Sequence, residues 1–384
     1  MNAAVPPLAT LLRILPGIAA AAPHHDRDGS FPHGSLSALR GAGLLALTVP
    51  AAVGGGGAGL RIAAGVVEAV GAACPATALV LAMQYLKHNA LARSPVWPAV
   101  LRERVQRDAV AEGVLINALR VEPELGSPTR GGLPATVARR TAQGWALSGR
   151  KRYCTGLPAL GWLEVWARTD EDAPRVGSFL VPAGAPGIEA VETWDHLGLR
   201  ASGSHDAVFR DVPVPADHAI GLVPPGAAAG PDARQMAWNN VLVPAVYTGV
   251  ARAARDWTIG FVRRRAPTGL GTPLADLPRV QEAVGEVEGL IAANRRIAEA
   301  LALAADAGEP PAAAESGVLK VVMAENAVRA VERCTLLAGN HAHDRANPLE
   351  RHWRDAQCAR MHAPASDAAH LLAGRTALAG GAAP

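Results

Sequence analysis

Along the first 116 residues, apolar positions recur at helical spacing, and glycine and proline mark the breaks. Leu11 to Pro23 reads as a first amphipathic helix. Its apolar run resembles a secretory signal core. However, no positive charge precedes it except the amine of Met1, and Pro16 interrupts it. Ser35 to Leu39 opens a short helix that Gly41 and Gly43 can end. Leu60 to Ala73 and Ala76 to Leu91 read as two apolar helices parted by Pro75. Pro95 and Pro98 punctuate the connection that follows.

The pattern changes near residue 117. Thr136 to Arg140 reads as a strand, Gln143-Gly144 as a turn, and Trp145, Leu147 and Gly149 then alternate with other residues. Trp162 to Arg168, Ser178 to Pro182 and Asp206 to Val214 are further strand candidates. Short strands at this spacing predict a small barrel or sandwich. Leu222 to Asp232 reads as a linker. After it, Val280, Ala283, Val284, Val287, Leu290 and Ile291 share one helical face, and Val318 to Leu337 is another amphipathic helix. The expected organisation is a helical domain over 1–116, a β domain over 117–221 and an antiparallel helical bundle over 232–384.

Composition supports a mainly helical chain, because the hydrophobic fraction of 49% is largely alanine. A length of 384 residues allows two or three domains. A formal charge of +3 without a Lys/Arg run gives no nucleic-acid footprint. No uninterrupted apolar stretch reaches the roughly 18 residues of a membrane span. Cys74, Cys154, Cys334 and Cys358 form no Cys-x-x-Cys pair, and they read as reduced thiols of a cytoplasmic protein.

Short motifs carry little. Gly54, Gly56 and Gly59 match Gly-x-Gly-x-x-Gly. The neighbouring segments read as helices, so a glycine-rich turn is expected instead of a dinucleotide site. Neither the adjacent His24 and His25 nor His341 and His343 belongs to a ligand set of recognised spacing, and no metal is expected. No Gly-x-Ser-x-Gly elbow or phosphate loop occurs.

Longer segments say more. Gly43 to Pro50 carries Gly-Leu-x-x-Leu-x-Val-Pro. Glu122 to Ser127 follows, then Gly149 to Gly156, Leu197 to Ser204, Val212 to Pro215 and Asn347 to Asp355. This ordered series resembles the acyl-CoA dehydrogenase superfamily over nearly the whole chain. The resemblance implies an N-terminal helical domain, a central β-barrel and a C-terminal four-helix bundle. It also implies a homotetramer and a flavin wedged between barrel and bundle.

An isoalloxazine ring needs an apolar slot, with donors at its pyrimidine edge and N5. By resemblance, the segment from Val121 through Gly126 to Ser127 supplies backbone donors. Tyr153-Cys154-Thr155 stands at the family's Trp-Ile-Thr, with Tyr153 covering one ring face and Thr155 serving N5. Family members also clamp the far end of FAD across a subunit interface. Here the first clamp segment is Pro267 to Gly271, with Arg265 nearby, and the second is reduced to Leu336, Gly339, Asn340 and Ala342. FAD has the family's support, and the weakened clamp admits FMN or a diffusible reduced flavin.

The family's dehydrogenases need a carboxylate base. Its usual position holds Ala363, and the position used by a minority of members aligns with Asn239. Met361-His362-Ala363-Pro364 instead resembles the branch that uses reduced flavin and oxygen, where an imidazole assists. His362 is therefore the leading catalytic candidate, with His88 a weaker partner. The expected function is a flavin-dependent oxidoreductase leaning to a reduced-flavin monooxygenase. The alternatives are thioester dehydrogenation with another base, and a non-catalytic flavin-fold binding protein. Expected partners are a small-molecule or acyl-thioester substrate and a flavin reductase or electron-transfer flavoprotein.

Overall fold

A computed structural model describes residues 7–125, 132–227 and 232–380. The first third contains α1 (Pro7–Asp28), α2 (His33–Gly41), α3 (Leu60–Ala73), α4 (Pro75–Arg93) and α5 (Ala99–Glu112). The middle contains β1 (Leu115–Leu119), β2 (Val137–Thr141), β3 (Gly144–Lys151), β4 (Leu160–Thr169), β5 (Val176–Pro182), β6 (Ile188–Val191), β7 (Asp206–Pro215) and β8 (Ala219–Val223). The last third contains α6 (Ala233–Arg264), α7 (Pro278–Asp306), α8 (Ala313–Ala338), α9 (Leu349–Gln357) and α10 (Ser366–Leu378).

Local chemistry sets several boundaries. Pro75 occupies the first position of α4, where its missing N–H costs nothing, so α3 and α4 part at Cys74. The Asp232 carboxylate caps α6 by accepting from Gln235 N at 2.7 Å. The glycine-rich stretch before α3 is a turn, as expected, and α3 takes its cap from far away. Leu60 N and Arg61 N donate to the Asp306 carboxylate at 2.7 and 3.0 Å. That contact ties the start of α3 to the end of α7.

The first and last thirds share one apolar core. α6 packs on α7 and α8, and also on α3 and α4. The α3–α6 crossing depends on two glycines. A Cβ on Gly71 would stand 2.5 Å from the Val246 carbonyl oxygen, and one on Gly249 would stand 2.3 Å from that of Glu68. Among the described residues, the last third has three long helices and two short ones, and α6 is shared with the first third.

The strands form one sheet in the order β6-β7-β3-β2-β4-β5-β8, with β1 paired parallel to β4. The expected barrel is corrected here. Among the described residues no ladder joins the end strands β6 and β8, and the sheet stays open. The cause lies at β4 and β6. β1 and β2 both run parallel to β4, pairing at Leu160–Val165 and at Arg168–Thr169 respectively. β6 is only four residues long and pairs with β7 alone.

Candidate active site

Three connections meet at one end of the sheet. They are the stretch after β1, the β3–β4 loop and the β6–β7 loop. Arg152 N donates to Val121 O at 2.9 Å, Cys154 N to His205 O at 3.0 Å, and Gly156 N to Ser202 O at 2.9 Å. Asn117 Nδ2 donates to Thr155 O at 3.0 Å. Beneath them, the buried Lys151 ammonium pairs with the buried Glu122 carboxylate at 2.6 Å. Burial works to raise the Glu122 carboxyl, but hydrogen bonds from Lys151 and Thr136 outweigh it and hold the group below its ordinary value. The strand carrying Lys151 is thereby fixed to the segment beginning at Val121. Gly126 and Ser127 lie outside the described residues.

Tyr153 sits at this junction with φ 56°, a left-handed conformation that a bulky residue adopts only when its surroundings impose it. The side chain is 46% exposed despite its apolar ring. Its edge meets Trp194 and His196, which stack on each other with centroids 3.7 Å apart. Next to it, the Cys154 thiol is buried and pushed up to about 12, so it is a packing group at neutral pH. Thr155 Oγ1 lies 3.0 Å from Ser204 Oγ, which lies 2.7 Å from Ser202 Oγ. An exposed aromatic wall beside a chain of hydroxyls fits a flat heteroaromatic ring that needs a donor at its edge.

The helical side presents a second group. The Tyr247 hydroxyl is hydrogen-bonded to His362 Nε2. Lys320 Nζ donates to the carbonyl oxygens of His362 and Pro364 at 2.6 and 3.1 Å. Asn239 Nδ2 donates to Ala363 O at 2.9 Å. The two positions at which a family carboxylate was sought are thus in direct contact, and they hold an amide and a methyl group.

Burial, with Lys320 adding, pushes the His362 imidazole down to about 4. Burial holds the Tyr247 phenol well above its ordinary value. The phenol therefore stays protonated and can donate to Nε2. In that tautomer the ring proton sits on Nδ1, which has no protein partner among the described residues. Lys320 is pushed down to about 8 by burial, which Glu325 partly offsets.

The two groups are linked through α9, since Asp355 Oδ1 accepts from Leu199 N at 2.7 Å in the loop that carries Ser202 and Ser204. Asp355 also acts electrostatically on Tyr247.

His88 and Arg265 stand elsewhere. His88 is fully buried and takes its hydrogen bond from Gln84, whose amide also reaches Leu45 O, Val114 O and Ile116 N. This knot joins α4 to β1. Arg265 follows the end of α6, about 39 Å along the axis from Asn239 at 1.5 Å per residue. One chain cannot place both residues on one flavin ring. Arg265 is exposed.

Sequence reasoning named the Leu197–Ser204 motif without assigning its serines, and it missed Trp194, His196, Tyr247 and Lys320. A lone lysine among the apolar positions of α8 was the readable sign for Lys320.

The buried histidines set an acid limit on stability. Burial pushes His88 and His352 down to about 3, with Lys87 and Arg351 adding respectively. The unfolded chain takes up these protons near pH 6.5, whereas the folded protein does not. Their contribution is complete above pH 6.5 and declines as pH falls below it. Asp355, pushed up to about 6 by burial, works in the opposite direction between 3.8 and 6. With His362, pushed down to about 4, three rings against one carboxyl leave a net loss of about 4 kcal/mol between pH 7 and 5. Thermal unfolding should show Tm falling over that range, and His352→Gln should flatten the slope. A level or rising Tm would contradict the assignment.

Comparison with known proteins covers the whole arrangement. Models of the acyl-CoA dehydrogenase N-terminal, middle and C-terminal domains match residues 17–95, 120–212 and 241–367. The putative acyl-CoA dehydrogenase YdbM of Bacillus subtilis (strain 168) is 33% identical over 351 residues, covering 91% of this chain and 90% of that protein. L-evernosamine nitrososynthase of a Micromonospora species is 29% identical, covering 95% of this chain and 88% of that protein. KijD3, solved with FMN and dTDP-3-amino-2,3,6-trideoxy-4-keto-3-methyl-D-glucose, superposes with a TM-score of 0.84 at 31% identity. That match covers 97% of this chain and 94% of KijD3. Among the described residues, no helix is long and apolar enough to cross a membrane.

Proposed function

Because the chain belongs to the acyl-CoA dehydrogenase superfamily, whose members here are flavin oxidoreductases, we propose that it is a reduced-flavin monooxygenase acting on a small molecule. The carrying observation is the Asn239–Ala363 contact. Neither residue can take a proton, and beside them lies a neutral imidazole bonded to a phenol. The amino sugar in KijD3 and the nitrososynthase relative make nitrogen the favoured atom of attack. Sulfur and aromatic carbon are the other candidates.

Bound flavin supplies the two-electron chemistry and, in its reduced form, the reaction with oxygen. The protein's part is holding and positioning. Tyr153, with Trp194 and His196 at its edge, covers the ring. Thr155 Oγ1 donates to it, and Ser204 and Ser202 fix that hydroxyl. Val121 and its neighbours supply backbone groups at the pyrimidine edge. His362 Nδ1–H is held ready to donate to the reacting oxygen or the substrate, with Tyr247 orienting the ring. Lys320 fixes the backbone on both sides of Ala363.

The test is to load the protein with FAD or FMN, reduce it, and supply amine, sulfide and arene substrates with and without oxygen. Product that requires oxygen and a flavin reductase supports the reading, and product formed without oxygen refutes it. Titration of both flavins, oxidised and reduced, should show binding. Thr155→Ala should weaken it about fivefold to tenfold, the worth of one hydrogen bond. Unchanged affinity and unchanged flavin potential in Thr155→Ala would remove its role.

We extend the proposal to a symmetric homotetramer in which Arg265 serves a neighbouring protomer's flavin. Leu303 on α7, Val322 and Leu336 on α8, and Leu371 on α10 leave apolar side chains exposed for such contacts. Light scattering should give four times the 39.5 kDa chain mass, and a monomer throughout would contradict this.

A further inference from the structure

The structure carries a cavity of about 600 Å³ where the end of α1, the β6–β7 loop and the start of α9 converge. We propose that it binds a phosphate or diphosphate group of a nucleotide-like ligand. Five guanidinium groups line it, from Arg27, Arg200, Arg345, Arg351 and Arg354. Only two carboxylates do, from Asp26 and Glu350.

Both carboxylates are committed to Arg354, which contacts each of them through two hydrogen bonds of 2.6–3.0 Å. Arg200 is held by Asp26 O at 2.7 Å and by Asp195 at 3.0 Å. The side chains of Arg27, Arg345 and Arg351 make no hydrogen bond or ion pair among the described residues.

Arg351 is the telling member. It is only 8% exposed, and its Nε is buried without a partner. An unpaired buried guanidinium is costly, so natural proteins supply it with an anion. Asp355 feels its charge, but the Asp355 carboxylate is engaged with Leu199 N. The planar fork of arginine matches the oxygens of phosphate. The volume exceeds what one phosphate fills and lies within the roughly 300–1,000 Å³ of small-molecule sites, so the phosphate arrives on a larger molecule. His196 lines the same cavity and stacks on Trp194 beside Tyr153, so a ligand here adjoins the aromatic wall.

Two sources offer this chemistry, the phosphate of the flavin and a phosphate-bearing tail on the substrate. Anion binding does not depend on the oxygen chemistry proposed above, so either reading can fail alone. The experiment is calorimetric titration of the full-length protein with inorganic pyrophosphate. It is repeated with Arg351→Gln and, in case that variant does not fold, with the exposed pair Arg27→Gln and Arg345→Gln. Saturable binding is expected, weakened about tenfold or more in the variants at unchanged Tm. No binding, or equal affinity in all folded variants, overturns the proposal. Flavin affinity falling in the same variants, with pyrophosphate competing against FMN or FAD, supports the site and assigns it to the flavin. Unchanged flavin affinity with weakened ADP or coenzyme A binding supports the site and assigns it to the substrate.

Discussion

Butyryl-, octanoyl- and isovaleryl-CoA should leave the oxidised, flavin-loaded protein unbleached, at rates about 10²–10⁴ below those of an enzyme with its general base in place. Dehydrogenation of a thioester removes a proton beside the carbonyl, and the group that takes it must lie in the pocket. Asn239 and Ala363, proposed to stand at the two family base positions, touch through an amide–carbonyl hydrogen bond of 2.9 Å. Glu350 is bound to Arg354 through both oxygens and faces the arginine-lined cavity, so its charge is already in use. The His362 Nε2 is already engaged with the Tyr247 hydroxyl, which takes up the nitrogen that would have to accept the substrate proton. Stopped-flow absorbance at the flavin band measures the result. Bleaching at the rate of a competent dehydrogenase would show that another group, Asp367 among them, reaches the substrate. The reciprocal variant is informative too. Ala363→Glu places a carboxylate at the proposed base position, and measurable bleaching by one of these thioesters is its expected outcome.

The parts legible in the sequence are those whose signal is local. Pro75 parts two apolar helices, and Gln143-Gly144 joins two strands, so α3, α4, β2 and β3 follow from neighbouring residues. β1 was not readable. Leu115–Leu119 is five residues long, follows a helix directly, and gains its identity by pairing with a strand 45 residues later. α5 has a polar, Arg- and Glu-rich sequence with little apolar periodicity. The open sheet depends on how β1 and β2 share β4, which no short motif encodes. The site divides in the same way. Tyr153, Thr155, Asn239 and Ala363 were proposed by motif position. Tyr247 lies in an apolar helix and becomes a site residue only because the chain returns 115 positions later with His362. The cavity arginines are dispersed from Arg27 to Arg354, and their shared excess of charge exists only once α1 and α9 meet.

Replacing His362 should abolish turnover while leaving the flavin bound. The imidazole is held at Nε2 by Tyr247, and its backbone carbonyl is held by Lys320, so in the tautomer in which Tyr247 donates, Nδ1 projects a fixed N–H. A group that positions a proton in the transition state typically contributes about 10²–10⁴ in rate, which sets the size of the expected loss in His362→Ala. Flavin affinity should be unaffected, because the residues proposed to hold the ring lie on the sheet side, around Tyr153 and Thr155. If oxygen chemistry is the activity, the same variant should release more hydrogen peroxide per product formed.

Two further variants separate donation from mere packing. His362→Gln keeps an N–H of similar reach and should recover part of the activity, whereas a site that needs a proton acceptor gains nothing from it. Tyr247→Phe removes the hydroxyl that orients the ring and should lower kcat more than it raises KM. The pH profile carries the remaining test. With the imidazole pushed down to about 4, its protonation cannot produce a break near 6.5, so any acidic limb owed to His362 belongs near pH 4 and should vanish in His362→Gln. Full coupled turnover in His362→Ala would make the ring a structural group and remove the strongest residue from the monooxygenase reading.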